Sequence, residues 1–175
     1  NLAAFEPFID ENGLRDGVAW AFVDWGYQRN EGFLDAAPNL FFLAGAHALA
    51  EWGRVIEDRE LEERAESAGG MVEQALARWV SDMMAREDPW GAMGYHAVVL
   101  CLGMGLIPAD REAQAVAFVK RHMLDCFPNN PDGPRNSDPM LSEPRLITPF
   151  FGHFAMPVLI ERGEMDFVLD QYRQC

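Results

Sequence analysis

The sequence predicts an all-α protein, part of an α/α toroid in which hairpins of one inner and one outer helix stack around an axis. Three stretches, starting near residues 40, 92 and 149, are apolar almost all round, which is typical of buried helices. Each is followed by a stretch with apolar residues at three- and four-residue steps and charges between them, which predicts an amphipathic helix. The resulting repeat of roughly 50 to 55 residues is typical of stacked helical hairpins.

Residues 1–36 show no helical period, and residues 1–39 are predicted to form a loop region that carries functional side chains. The segments 10–13 and 15–17 have the composition of turns. The apolar segment 18–23 between turn signals fits either a short buried strand or an extended loop. We therefore predict one partial domain, with a site-bearing loop region at 1–39 and three helical hairpins at 40–175.

The three hairpins are predicted from their apolar patterns and from helix start signals. We expect inner helices at 40–56, 92–106 and 149–160, and outer helices at 61–83, 110–127 and 166–172. Asp110 and Thr148 are the predicted N-caps of the helices that follow them, and Pro149 fits the first helical position. A loop rich in Pro, Asn and Asp separates the second hairpin from the third.

Three hairpins make half of a six-hairpin barrel, which leaves the inner helices with open flanks. Monomeric proteins rarely expose apolar surface of that size. We therefore expect a fragment, completed by the remainder of a parent chain, or a subunit completed by another copy as a homo-oligomer. A closed six-helix bundle is the alternative that the same periodicities allow.

The composition restricts the class of protein and of partner. The chain has 175 residues, 49% hydrophobic and 24% charged, as in an ordinary globular domain. Its 28 acidic and 14 basic residues give a net charge of −14, which disfavours nucleic acid and anionic membranes as partners. No apolar run is long enough for a transmembrane helix. Three cysteines without CxxC spacing favour neither a disulfide framework nor a zinc knuckle, and they are compatible with a reducing, cytoplasmic location.

Asp24 is the first candidate site residue, because it lies in an apolar run between Val23 and Trp25. An ionised carboxylate that is buried without a polar partner costs several kcal/mol. The partner could be a sugar, whose hydroxyls would donate to Asp24 while the Trp25 ring covers its apolar face. The structural alternative is that Asp24 caps a turn at Gly26 and that Trp25 fills the core.

Three further residues are candidate sugar contacts because of their positions along the chain. Trp90 precedes the second inner helix, Glu31 lies in the loop region, and His153 lies near the start of the third inner helix. The alternatives are a solvated loop acid for Glu31 and a core histidine for His153. Histidines on converging helices could bind zinc, but the sequence has no HxxxH spacing, and we predict no metal and no cofactor.

Several segments together resemble the catalytic domain of bacterial α-L-rhamnosidases, and the resemblance covers nearly the whole chain. They are Asn12-Gly13-Leu14, Phe22-Val23-Asp24-Trp25-Gly26, Glu31-Gly32, Glu51-Trp52-Gly53 and Thr148-Pro149-Phe150-Phe151-Gly152-His153-Phe154. The resemblance implies an (α/α)6 barrel that hydrolyses terminal α-L-rhamnose in glycosides or polysaccharides with inversion, using two carboxylates. It also implies that Asp24 and Trp25 are sugar-site residues.

The sequence departs from that family at both catalytic motifs. The family's acid motif, Asp-Glu-Arg followed by a Trp and a Gly-Asp, does not occur, and Asp10-Glu11-Asn12 is only a superficial echo of it. The Thr-x-x-Trp-Glu element of the general base is absent as well. We therefore predict an inactive fragment of an inverting glycoside hydrolase that carries part of the sugar-binding site and no catalytic residue. The alternative function is a non-catalytic helical scaffold that binds protein partners.

Overall fold

The computed structural model describes residues 2–14, 23–24, 27, 29–126 and 148–174. These residues are mostly helical, which confirms the all-α class. They belong to two compact units, the first of residues 1–21 and 30–92 and the second of residues 22–29 and 93–175. The helices are α1 (Ala36–Val55), α2 (Arg59–Met84), α3 (Pro89–Met93), α4 (Tyr95–Gly103), α5 (Glu112–Cys126), α6 (Pro149–Glu161) and α7 (Met165–Gln174), and the strands are β1 (Ile9–Asp10) and β2 (Gly13–Leu14).

Some predicted features lie outside the described residues. They are the turn at 15–17, most of the strand-or-loop segment at 18–23, Trp25, and the polar loop at 128–144. None of the described helices is both long enough and apolar enough to span a membrane.

In the first unit, the predicted turn at 10–13 is confirmed as the connection of a two-stranded antiparallel hairpin. The Asn12 N–H donates to Asp10 Oδ1 at 2.8 Å, and Gly13 has a φ of 93°, a conformation that favours glycine. The buried Asn39 of α1 receives the Leu14 N–H at Oδ1 (2.7 Å) and donates from Nδ2 to the Leu14 carbonyl (3.3 Å). The Asn39 side-chain amide therefore both accepts from and donates to the backbone of β2, as the backbone of a neighbouring strand would.

Helix α1 begins at Ala36, four residues before the predicted start at Leu40, so the loop region is shorter than predicted. Pro38 had suggested a boundary, but a proline in the first turn loses no hydrogen bond because the N–H groups there have no partner within the helix. The start is capped from a distance by Asn30, whose Oδ1 accepts the Ala36 N–H at 2.7 Å.

Helices α1 and α2 pack as the first predicted hairpin. They approach closely at Gly53, where an added Cβ would lie 2.8 Å from the backbone nitrogen of Glu62. The prediction that α1 is buried all round is wrong, because Trp52 and Val55 are 59% and 65% exposed. Its composition is that of a buried helix, but α2 and the small β-hairpin cover only part of its circumference.

In the second unit, α4 packs against α5 and α6, and α6 packs against α7. The single helix predicted at 92–106 is in fact α3 and α4, because Gly94 interrupts it with a φ of 74°. Helix α5 begins at Glu112, so the residue directly before it is Arg111 and the N-cap predicted at Asp110 is wrong. Thr148 is confirmed as the N-cap of α6, with Pro149 at its first position.

Helices α1, α4 and α6 end in the same hydrogen-bonded turn, the Schellman motif, in which a residue of positive φ follows the C-cap. The residues of positive φ are Glu57, Gly105 and Gly163. In each case two backbone N–H groups donate to carbonyls of the last helical turn. At the end of α1, Asp58 donates to Gly53 and Glu57 to Arg54. The corresponding pairs are Leu106 to Cys101 and Gly105 to Leu102 after α4, and Glu164 to Leu159 and Gly163 to Ile160 after α6.

The Schellman turns generate a stability prediction, because the first holds Glu57 at a φ of 60° where the other two have glycine. Glu57→Gly should stabilise the fold by about 1 kcal/mol, the usual cost of a left-handed L residue, and raise Tm by about 2–4 °C. Thermal unfolding followed by circular dichroism measures this. The control Glu57→Ala removes the charge but keeps a Cβ, so it should give no such increase, and Gly163→Ala should lower Tm. An equal gain from Glu57→Ala and Glu57→Gly would show that charge is the cause.

Candidate functional site

The carboxylate of Asp24 lies inside the second unit, and its side chain is fully shielded from solvent, as is that of His96. Asp24 Oδ2 lies 3.0 Å from His96 Nε2. Asp24 Oδ1 accepts the hydroxyl proton of Thr148 at 2.5 Å. Each carboxylate oxygen therefore has a polar partner, which offsets the cost of removing it from water.

Thr148 joins this carboxylate to the start of α6. Its hydroxyl oxygen accepts the backbone N–H of Phe151 at 3.2 Å while its proton goes to Asp24. A hydroxyl can donate once and accept twice, so the two bonds are compatible. The side chain that begins α6 thus also fixes the position of Asp24.

His96 is the second residue of α4, and its ring is enclosed by aromatic side chains. The ring centroids of Tyr27, Tyr95 and Phe151 lie 5.4, 5.2 and 4.3 Å from its own. Because a carboxylate only accepts hydrogen bonds, the proton between the two groups belongs to His96 Nε2. The other nitrogen, Nδ1, is buried and has no hydrogen-bond partner among the described residues.

A carboxylate, an imidazole and a hydroxyl are the groups of a nucleophilic triad, but their order here is different. In a triad the hydroxyl bonds to the imidazole, which removes its proton. Here the Thr148 hydroxyl bonds to Asp24, and the carboxylate is shielded from solvent. We call Asp24, His96 and Thr148 the Asp24 clasp, because they hold the segment around residue 24 to the starts of α4 and α6.

Of the sugar contacts predicted in this part of the chain, the structure describes Asp24 and His153. The Tyr27 N–H donates to the Asp24 carbonyl at 3.3 Å, and the Asp24 carboxylate binds His96 and Thr148. His153 is exposed on α6, and its ring contacts the edge of Phe154. A direct contact between either residue and a sugar stays a prediction.

Glu31 and Trp90, the other two predicted contacts, belong to the first unit. The Glu31 backbone N–H donates to the Ala92 carbonyl at 2.8 Å, which brings Glu31 beside the helix α3 that carries Trp90. The Glu31 carboxylate forms an ion pair with Arg86 at 3.1 Å. Trp90 is half-buried. Of the five predicted residues, Glu31 and Trp90 therefore belong to the first unit and Asp24 and His153 to the second, while Trp25 lies outside the described residues.

Two of the three clasp residues were only partly identified from the sequence. His96 was one of the histidines weighed as core or metal-binding residues, and Thr148 was predicted as a helix cap and as the first residue of the Thr-Pro-Phe-Phe-x-His motif. The signal for both was Asp24 itself, since a buried carboxylate requires donors, but no sequence spacing says which donors fold against it. Within the described ranges, no three His, Cys, Asp or Glu side chains are grouped to hold a metal ion.

No protein-family model matches this chain, and no curated protein or solved structure does so either. The resemblance to α-L-rhamnosidases therefore stays a prediction carried by the motifs. The geometry of the Asp24 clasp is independent of that resemblance.

The clasp predicts that Thr148 contributes to stability through its hydroxyl. Thr148→Val keeps the shape but removes both the N-cap and a hydrogen bond to a buried carboxylate, which together contribute about 2–4 kcal/mol. Tm should fall by roughly 5–15 °C in thermal unfolding. Thr148→Ser retains the hydroxyl and should stay close to the parent protein. If Thr148→Val and Thr148→Ser have the same Tm, the hydroxyl does not contribute to stability in this way.

The clasp also predicts the tautomer of His96. In the parent protein Nε2 carries the proton that Asp24 accepts. In Asp24→Asn the amide oxygen can still accept from Thr148 while its NH₂ faces Nε2, so neutral His96 should move its proton to Nδ1. Nitrogen-15 NMR of the imidazole distinguishes the two forms. A neutral His96 that carries its proton on Nδ1 in the parent protein would contradict the hydrogen bond between residues 24 and 96.

Proposed function

We propose that this chain carries part of the sugar-binding site of an inverting glycoside hydrolase that resembles the bacterial α-L-rhamnosidases and acts on terminal α-L-rhamnose. The observation that supports it best is the hydrogen bond between Thr148 and Asp24, residues 124 positions apart. The two most specific motifs of the resemblance, Val-Asp-Trp and Thr-Pro-Phe-Phe-x-His, are joined by this bond. Motifs that meet through polar side chains are expected to serve one site.

The position of the clasp suggests how the site works. Asp24 acts as a positioning residue, because its carboxylate is occupied by His96 and Thr148. The groups that it places at the start of α6 face solvent: Phe150 is 57% exposed and His153 is exposed. An aromatic ring and an imidazole offer an apolar surface and a hydrogen-bonding group, the two kinds of contact that a pyranose needs.

The proposed architecture is an α/α toroid in which the three hairpins make half of an (α/α)6 barrel. The common Schellman ends of α1, α4 and α6 support a repeated hairpin unit. The exposed apolar side chains of α1 and α6, among them Trp52 and Phe150, fit inner helices with open flanks. Another copy or further hairpins would cover such flanks.

The proposal predicts that sugar binds where His153 lies. Titration of the nitrogen-15-labelled protein with methyl α-L-rhamnoside should shift the amides of residues 150–154. His153→Ala should weaken binding by about two- to ten-fold, the effect of one hydrogen bond. The control His47→Ala removes an exposed histidine of α1 and should leave binding unchanged. Equal effects of both variants, or no shift at 150–154, would contradict the proposed site.

The proposal also predicts that the 175 residues alone do not hydrolyse rhamnosides. Inversion needs two carboxyl groups about 6.5–9.5 Å apart with water between them, and the sequence contains neither the acid nor the base motif. Release of p-nitrophenol from an aryl α-L-rhamnoside should therefore not exceed background. If the chain hydrolyses the substrate and loses this activity when one of its own acidic residues is substituted, the chain carries a catalytic carboxyl group. That result would overturn the prediction.

A second candidate function, a scaffold that binds protein partners, is favoured by one observation. Trp52, Val55 and Ile56 form an exposed apolar cluster at the end of α1. Such clusters are typical of interaction surfaces. Rhamnoside binding near His153 would favour the hydrolase over this alternative.

A further inference from the structure

We propose that the loop of residues 30–35, together with Arg86, forms a separate carbohydrate subsite that binds a neutral pyranose. In this subsite Phe33 is the platform for the apolar face of the sugar, and Glu31 and Arg86 bind its hydroxyls. The choice of a sugar as the ligand rests on the proposed function. If the chain binds a glycoside, this loop would bind a further part of it. Its geometry lies entirely within the first unit.

The loop is held firmly before any ligand binds. The Asn30 side chain donates to the carbonyls of Glu31 and Leu34, both at 2.8 Å, and accepts the Ala36 N–H. The indole N–H of the buried Trp79 donates to the Glu31 carbonyl at 2.8 Å. A binding loop that is fixed in advance loses little entropy when the ligand arrives.

Gly32 is what allows this close packing. Its φ is 103°, and an added Cβ would lie 2.9 Å from the ring of Trp79. The backbone of residue 32 therefore lies against the indole, and the neighbouring residues on both sides are exposed. Glu31 and Phe33 are thus presented at Cα positions no more than about 7.6 Å apart.

The polar half of the subsite is the ion pair of Glu31 and Arg86. Their charged groups lie 3.1 Å apart, and the side chains are 64% and 44% exposed. Arg86 also faces Asp82 at 3.5 Å. A carboxylate has about four acceptor positions and a guanidinium five N–H donors, so these contacts leave capacity for sugar hydroxyls. Planar charged groups of this kind bind vicinal hydroxyls through strong, charge-assisted hydrogen bonds.

The apolar half of the subsite is Phe33, which is 51% exposed although the loop around it is fixed. The half-buried Trp90 lies on α3, next to which the Glu31 amide is bound. An exposed aromatic ring two residues from the Glu31 of this ion pair suits a ligand with one apolar face and a polar rim, and it suits a broad apolar protein surface less well. The net charge of −14 disfavours acidic sugars.

The test is titration of the nitrogen-15-labelled chain with methyl α-L-rhamnoside, methyl β-D-glucoside and glucuronate. We expect the neutral glycosides to shift the amides of Gly32 and Phe33, with glucuronate weaker. Phe33→Ala and Glu31→Gln should each weaken binding at this loop by about three- to ten-fold. The matched control Phe8→Ala removes another exposed aromatic residue of the first unit and should change nothing.

The outcomes separate this subsite from the proposed function. Rhamnoside shifts at residues 150–154 without shifts at Gly32 and Phe33 would overturn the subsite and leave the proposed function standing. Shifts confined to the loop and abolished by Phe33→Ala would support the subsite and contradict the rhamnose site at His153. Loss of binding in Phe8→Ala with none in Phe33→Ala would overturn the subsite in favour of the segment that carries Phe8.

Discussion

The second unit depends on how the carboxylate of Asp24 is kept out of water. Its burial is tolerated because His96 and Thr148 each donate a hydrogen bond to it. Both donors lie at helix starts, and Thr148 in addition caps α6. One carboxylate thus sets the position of the segment around residue 24 and the entry into two helices. If one donor is removed, the carboxylate keeps one hydrogen bond but becomes a partly unsatisfied buried charge. The three groups therefore act as a unit.

The clasp also explains why a sugar-binding aspartate and a structural aspartate are difficult to tell apart in a sequence. Both need an apolar setting and polar partners. In this chain the partners of Asp24 are protein groups, and the exposed groups of the same region, Phe150 and His153, are carried by the helix that Asp24 orients. A carboxylate buried in this way fixes the start of α6 through its protein partners and leaves the exposed side chains of that helix free of this task.

The two units combine rigidity and exposure in similar ways. In the first unit, Asn30 and Trp79 fix a loop that exposes Phe33. In the second, Thr148 fixes a helix start that exposes Phe150. Exposing a large aromatic ring gives up the free energy of burying it. Rings exposed on well-fixed backbone are therefore candidates for ligand or partner contact.

The helix pattern of the sequence predicted α1, α2 and α4 to α7, and local signals predicted several of their ends. The N-cap at Thr148, the proline after it and the turn at 10–13 are short-range features, and all are confirmed. The early start of α1 was missed because its cap comes from Asn30, outside the helix. The break at Gly94 was missed because an isolated glycine in an apolar run does not reveal its φ.

The sequence by itself determined the all-α class and the need of Asp24 for polar partners, since periodicity and desolvation are properties of local sequence. Only the tertiary structure decided which groups meet that need and which helix faces are covered. His96 and Thr148 lie 72 and 124 positions from Asp24, and residues so distant come together only when the chain folds. The exposure of Trp52 and Phe150 likewise depends on which helix packs against which, and a helix's own apolar pattern cannot specify its neighbour.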